Sequence, residues 1–163
     1  MTTEIKGGDF DYNEIDATMA DFLRKKETNI REIIGKAYTD LGRELKEAQD
    51  ELAGSNQYDG VFLRWLAYMK YPQRTAYELI NRYEELLRIP QEQVDTFEAL
   101  PVSLSKTVSA KSAESTPAKA QVKSEVLAGE IATGKAYKDR IAELEGKASQ
   151  AEKAHTPDCV SLF

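Results

Sequence analysis

The chain contains one short run of side chains that are suited to recognising nucleic-acid bases. The run is QRTAYE, and its polar members are Gln73, Arg74, Thr75, Tyr77 and Glu78. Arginine can form two hydrogen bonds with guanine, glutamine can do the same with adenine, and threonine can contact a thymine methyl group or a phosphate. The sequence therefore predicts that this run contacts bases in double-stranded DNA.

Basic residues around this run are the candidates for phosphate contacts. They are Arg64, Lys70 and Arg82. Residues 61–88 carry five positive and three negative side chains, whereas the whole chain has a net charge of −6 and residues 1–22 carry six negative groups against one positive group. The segment is thus locally basic in an acidic protein. Ordinary charges on a helix surface give a similar balance, and a basic stripe in the fold would favour DNA as the partner.

A short helix and a longer helix after it must position these side chains. Residues 61–69 place four apolar side chains on one helical face: Phe62, Trp65, Leu66 and Met69. Pro72 then interrupts the pattern, because proline lacks a backbone N–H and disfavours helix in the residue before it. From residue 74 the period resumes, and the side chains predicted to face inward are Ala76, Leu79, Ile80, Tyr83, Leu86 and Leu87. Asn81 and Arg82 are left for solvent or a partner.

Two helices joined by a turn of three or four residues form a helix-turn-helix. The second helix of this unit presents its N-terminal side chains to the major groove of DNA. An αα-hairpin inside an ordinary helical domain has the same pattern, so both interpretations stay open.

The remaining chain predicts an all-α fold. We expect a helix-turn-helix core, a long N-terminal helix or helix pair with a break near residues 26–28, and a coiled-coil-like C-terminal helix. The predicted segments are a flexible acidic tail over residues 1–13, a helix-turn-helix domain over 14–108, a linker with C-terminal helices over 109–154, and a flexible tail over 155–163.

Local residues predict several details of these helices. Gly35 and Gly42 lie seven residues apart and either allow close helix approach or weaken the helix. Ser115 or Thr116 before Pro117 predicts a helix start. Gly129 predicts a helix end.

Catalytic chemistry has little support in the sequence. His155 and Cys159 are the only histidine and cysteine, and a closed zinc site needs four ligands. Residues 129–135 fit the spacing of a phosphate-binding loop, but Ala136 replaces the serine or threonine that holds magnesium and no strand precedes the loop. We therefore expect that the protein is not an enzyme and binds no cofactor or metal.

No run of about 18 apolar residues occurs, so we expect a cytoplasmic protein without a membrane span.

Several stretches resemble a known group of proteins. The runs GVFLRW and TAYELINRY, together with residues 99–104 and 127–135, resemble an uncharacterised helical family of phage- and plasmid-borne bacterial proteins. The layout is similar, more loosely, to the helix-turn-helix region of ParB-like partition proteins. That resemblance implies DNA binding by Arg74, Thr75, Tyr77 and Asn81. Lys70 and Pro72 depart from the pattern, because glycine and serine or threonine are usual at those places, so we expect a remodelled turn.

These observations lead to two functional hypotheses. The first is a homodimeric DNA-binding protein of a mobile genetic element, acting as a regulator or as a replication or partition accessory and pairing through its N-terminal or C-terminal helix. The second is a phage-encoded protein-binding module that inhibits a host nuclease or defence factor, in the manner of an anti-CRISPR protein. Its candidate contacts are the acidic residues Asp9, Asp11, Glu14 and Asp16.

Overall fold

The protein is described by a computed structural model that covers residues 10–56 and 60–154. After a single 3-10 turn at Tyr12–Glu14, these residues form seven α-helices and no strand, which confirms the all-α prediction. The helices are α1 (Ala17–Gly54), α2 (Val61–Tyr68), α3 (Gln73–Arg88), α4 (Gln91–Ala99), α5 (Val102–Ser109), α6 (Pro117–Leu127) and α7 (Gly134–Ala154). Within the described ranges, no helix combines the length and apolar character that crossing a lipid bilayer requires.

The N-terminal helix α1 is one continuous helix of 38 residues. Asp16 caps its start, because its side-chain oxygen accepts a hydrogen bond from the backbone N–H of Met19 at 2.9 Å. Thr28 does not start a second helix. Its hydroxyl donates instead to the carbonyl oxygen of Arg24 at 3.1 Å, a bond that a threonine inside a helix commonly forms.

Two of the three glycines of α1, Gly35 and Gly42, lie where other helices approach its backbone. A Cβ atom built on Gly35 would lie 1.9 Å from the carbonyl oxygen of Glu98 in α4. A Cβ atom built on Gly42 would lie 2.5 Å from the carbonyl oxygen of Leu79 in α3. Of the two interpretations of this glycine pair, close helix approach is therefore confirmed.

The first hydrophobic core lies between α1, α2 and α3. Its buried members are Leu45, Phe62, Leu66, Ala76, Leu79 and Ile80. The inward face predicted for the first half of α3 is thus confirmed, and in α2 the predictions for Phe62 and Leu66 are confirmed. Three predictions for this region were wrong: Trp65 is 36% exposed, Met69 is 41% exposed, and Leu87 is 63% exposed.

The exposure of Leu87 follows from a rotation of the buried face along α3. In its first half α3 buries Ala76 and Ile80 against α1 and α2. In its second half α5 and α6 approach from another side and bury Glu85, whose carboxylate lies 2.7 Å from the amino group of Lys123 in α6. Leu87 lies outside this second contact and meets solvent.

The second hydrophobic core joins helices on both sides of residue 109. Its buried members are Phe97, Leu100, Leu104, Val108, Val122, Val126, Ile131 and Tyr137. The C-terminal helices therefore pack on α4 and α5. The cap predictions here are confirmed: the hydroxyl of Thr116 accepts from the N–H of Lys119 at 3.2 Å, and Gly129 ends α6 with a φ of +84°.

Candidate nucleic-acid interface

The turn between α2 and α3 has a regular helix-ending geometry despite its unusual residues. Lys70 adopts a φ of +56°, the left-handed conformation in which glycine is usual. Its N–H donates to the carbonyl of Ala67 at 3.0 Å, and the N–H of Tyr71 donates to the carbonyl of Leu66 at 2.9 Å. These two hydrogen bonds form a Schellman motif. The predicted remodelling of the turn was therefore wrong: lysine takes the glycine conformation at a cost of about 1 kcal/mol.

Pro72 completes the turn and starts α3. Its φ of −61° and ψ of 128° lead the chain into Gln73, and no side chain caps the helix. The two helices are thus separate and joined by four residues, as a helix-turn-helix requires.

The start of α3 projects from the protein. The side chain of Arg74 is 91% exposed. Gln73 and Lys70 are exposed beside it, whereas Ala76 on the opposite face is fully buried. We call Lys70, Gln73 and Arg74 the α3 tip. Arg64 of α2 is exposed as well.

An ion-pair network links the α3 tip to α5. The Nε of Arg74 donates to Glu78 at 2.9 Å, and the amino group of Lys106 lies 3.2 Å from the other carboxylate oxygen of Glu78. The hydrogen bond from Arg74, helped by Lys106, holds the pKa of Glu78 below its usual range. Glu78, predicted to contact a base, is therefore engaged within the protein and orients Arg74.

A cleft continues from this network between α3, α5 and the C-terminal helices. Its volume is about 550 Å³. Asn81 lies in its wall together with Arg74 and Glu78, and Lys106 and Lys119 add two further cations. Three positive side chains thus face one carboxylate in this cleft.

Thr75 and Tyr77 are less available than the α3 tip. Both side chains are partly buried. The ring of Tyr77 packs edge-on against Phe62, with 6.1 Å between the ring centroids. Tyr77 therefore contributes mainly to the packing of α2 on α3.

Arg82 was predicted to hold a phosphate, and this prediction was wrong because the side chain is completely buried. Its Nε donates to the hydroxyl of Ser105 at 2.8 Å, and its Nη1 donates to the hydroxyl of Thr39 at 2.9 Å. The guanidinium carbon lies 5.2 Å from the ring centroid of Phe97. Burial lowers the pKa of Arg82, against the opposing effect of Glu98, because a buried site disfavours the charged form.

The sequence alone did not identify Lys106 and Lys119 as members of this surface. Both lie far along the chain from the α3 tip, on helices whose own periodicity does not reveal which neighbour they pack against. In the sequence, the property of Lys106 and Lys119 that came nearest to indicating a place on this surface was their positive charge. Only the packing of α5 beside α3 brings Lys106 to Glu78.

The acidic residues of the second hypothesis have structural uses. Asp11 accepts a hydrogen bond from the N–H of Asn13 at 2.9 Å, and Asp16 caps α1. Glu14 is exposed, and Asp9 lies outside the described residues.

The chain matches no protein-family model, no curated protein and no solved structure. Its function must therefore be inferred from its own side chains and their arrangement.

Proposed function

We propose that the protein binds double-stranded DNA through the α3 tip. The observation that carries this proposal is the position of Arg74, which is 91% exposed at the second residue of α3 while the opposite face of the helix is buried. A helix anchored in this way can enter a major groove without disturbing its own core.

Charge supports the same proposal. The α3 tip itself contains the cations Lys70 and Arg74, and Arg64 is exposed on α2. Lys106 and Lys119 continue the positive surface along the cleft that Arg74 borders. Each phosphate neutralised by such a cation releases counterions from the DNA, so the affinity would fall steeply as the salt concentration rises.

The network around Glu78 is compatible with base recognition by Arg74. A guanidinium has five N–H donors. Arg74 can therefore keep the 2.9 Å bond from its Nε to Glu78 while its terminal nitrogens bond the O6 and N7 atoms of a guanine. Holding the side chain in this way reduces the conformational entropy lost on binding.

The broader role follows from the sequence resemblance. It is that of a regulator, or of a replication or partition accessory, of a mobile genetic element. A homodimer would suit this role, because two half-sites multiply a modest single-site affinity.

The first prediction concerns Arg74→Ala. We expect the affinity for a specific duplex to fall by about 1–3 kcal/mol, because a base contact is lost together with one charge. Fluorescence anisotropy with the DNA upstream of the protein's own gene, at two salt concentrations, measures this change.

Arg88→Ala is the matched control. It removes the same charge from the other end of α3, where the side chain is 68% exposed, so we expect a clearly smaller loss of affinity. Equal losses for the two variants, or no binding by the wild type at low salt, would contradict the proposal.

A further inference from the structure

The helix α1 exposes an apolar face that the proposed DNA contact does not use. This face lies roughly opposite Gly35 and Gly42, and its large side chains are between 41% and 67% exposed. We call it the α1 stripe; its members are Met19, Phe22, Ile30, Ile33, Ile34 and Leu41. From Met19 to Leu41 it extends for about 33 Å along the helix. A row of large exposed apolar side chains of this length indicates an interaction site.

The α1 stripe repeats every eleven residues. Met19, Ile30 and Leu41 form one series, and Phe22 and Ile33 form another. An eleven-residue repeat corresponds to about 3.67 residues per turn, close to the 3.6 of a straight α-helix. The stripe therefore stays on one side of α1 over its whole length, and Phe10 and Tyr12 border it beside Ile30.

We propose that the α1 stripe binds the α1 stripe of a second copy of this chain in an antiparallel arrangement, with the twofold axis near Ile33. A twofold interface brings the same surface of both copies together, so that surface must complement itself. Ile33 is the most exposed member of the stripe, and apolar side chains flank it on both sides.

The charges in and beside the stripe select the antiparallel orientation. Lys26 lies seven residues before Ile33, and Asp40 lies seven residues after it. Lys26 and Asp40 are fourteen residues apart, close to four helical turns, so both lie on the same side of α1 as Ile33. An antiparallel copy places its Asp40 beside Lys26, and the symmetry repeats this pair. A parallel copy would place Lys26 beside Lys26.

The arrangement has a consequence for the two helix-turn-helix units. The helices α2 and α3 pack on α1 around Leu45, twelve residues beyond Ile33. Twelve residues on each side of the axis separate the two units by about 36 Å along α1. The pairing itself holds whether or not the chain binds DNA, and it is measured without nucleic acid.

The mass of the full chain in a dilution series, measured by analytical ultracentrifugation, tests the interface. We expect a dimer that dissociates on dilution, and Ile33→Glu should raise its dissociation constant roughly a hundredfold, because two apolar contacts are lost and two carboxylates are buried. The fold should survive, since Ile33 is 67% exposed. Leu87→Glu is the matched control: it changes an equally exposed side chain on α3 and should leave the dimer unchanged.

A charge exchange tests the orientation. We expect Lys26→Glu to weaken the dimer about tenfold by opposing Asp40 twice, and the double variant Lys26→Glu with Asp40→Lys to restore it. A parallel pair would not regain affinity in the double variant. A wild type that stays monomeric, a dimer indifferent to Ile33→Glu, or failure of the double variant to restore association would overturn the proposal.

Discussion

Gly35→Ala is expected to lower the free energy of unfolding by about 3 kcal/mol or more. The added methyl group would lie 1.9 Å from the carbonyl oxygen of Glu98. That oxygen belongs to the backbone of α4, so it can give way only if the whole helix moves away from α1. Such a shift would also disturb Phe97, which is completely buried in the second core. Denaturant unfolding followed by circular dichroism measures the loss.

Alanine substitutions at two other glycines provide the comparison for this effect. Gly146 lies in α7 with no atom within 4 Å of a built Cβ. Gly146→Ala should therefore stabilise the protein by up to about 1 kcal/mol, the usual gain in helix propensity. Gly42→Ala should destabilise it, because backbone atoms of α3 lie close to the site. A Gly35→Ala protein as stable as the wild type would contradict the close approach of α1 and α4.

The second large effect is expected for Arg82→Ala, which should reduce the free energy of unfolding by about 3 kcal/mol. The side chain fills completely buried space between three helices, and its removal leaves a cavity beside Phe97. The hydroxyls of Thr39 and Ser105 also lose their donor. Thermal and denaturant unfolding of the purified variant measure the change.

Arg82→Met separates packing from charge. Methionine retains much of the volume and removes a cation that burial disfavours, so we expect a clearly smaller loss than for alanine. Because Arg82 does not reach the surface, the methionine variant should keep the wild-type affinity for DNA. An affinity loss as large as that of Arg74→Ala would contradict the buried position of Arg82.

The parts of the fold that the sequence predicted depend on local chemistry. Pro72 keeps Tyr71 out of a helix and precedes the first residue of α3 because of its own ring, although α2 ends earlier, at the left-handed Lys70. Thr116 and Gly129 mark the ends of α6 through hydrogen bonds and backbone angles within a few residues. The apolar period of α1, α3 and α4 indicates helix because neighbouring turns must bury the same side.

The parts that the sequence did not predict depend on which helices meet. Arg82 faces inward only because α5 provides Ser105 and α1 provides Thr39 on that side of α3. Leu87 faces outward because the buried side of α3 rotates toward α6. The periodicity of α1 indicated a helix but did not distinguish the glycine face, which packs inside the protein, from the exposed α1 stripe. For the candidate site, Arg74 was found by its residue type and position, whereas Lys106 reaches it only through tertiary packing.

The most direct measurement of the proposed DNA contact is amide hydrogen exchange with and without a duplex at low salt. The first N–H groups of an α-helix lack partners within the helix, and Pro72 provides no side-chain cap for α3. These groups should exchange rapidly in the free protein. Slower exchange on adding DNA at residues 70–78, with little change in α6 and α7, is the predicted result. Unchanged exchange at residues 70–78, or protection confined to other helices, would contradict DNA binding through the α3 tip.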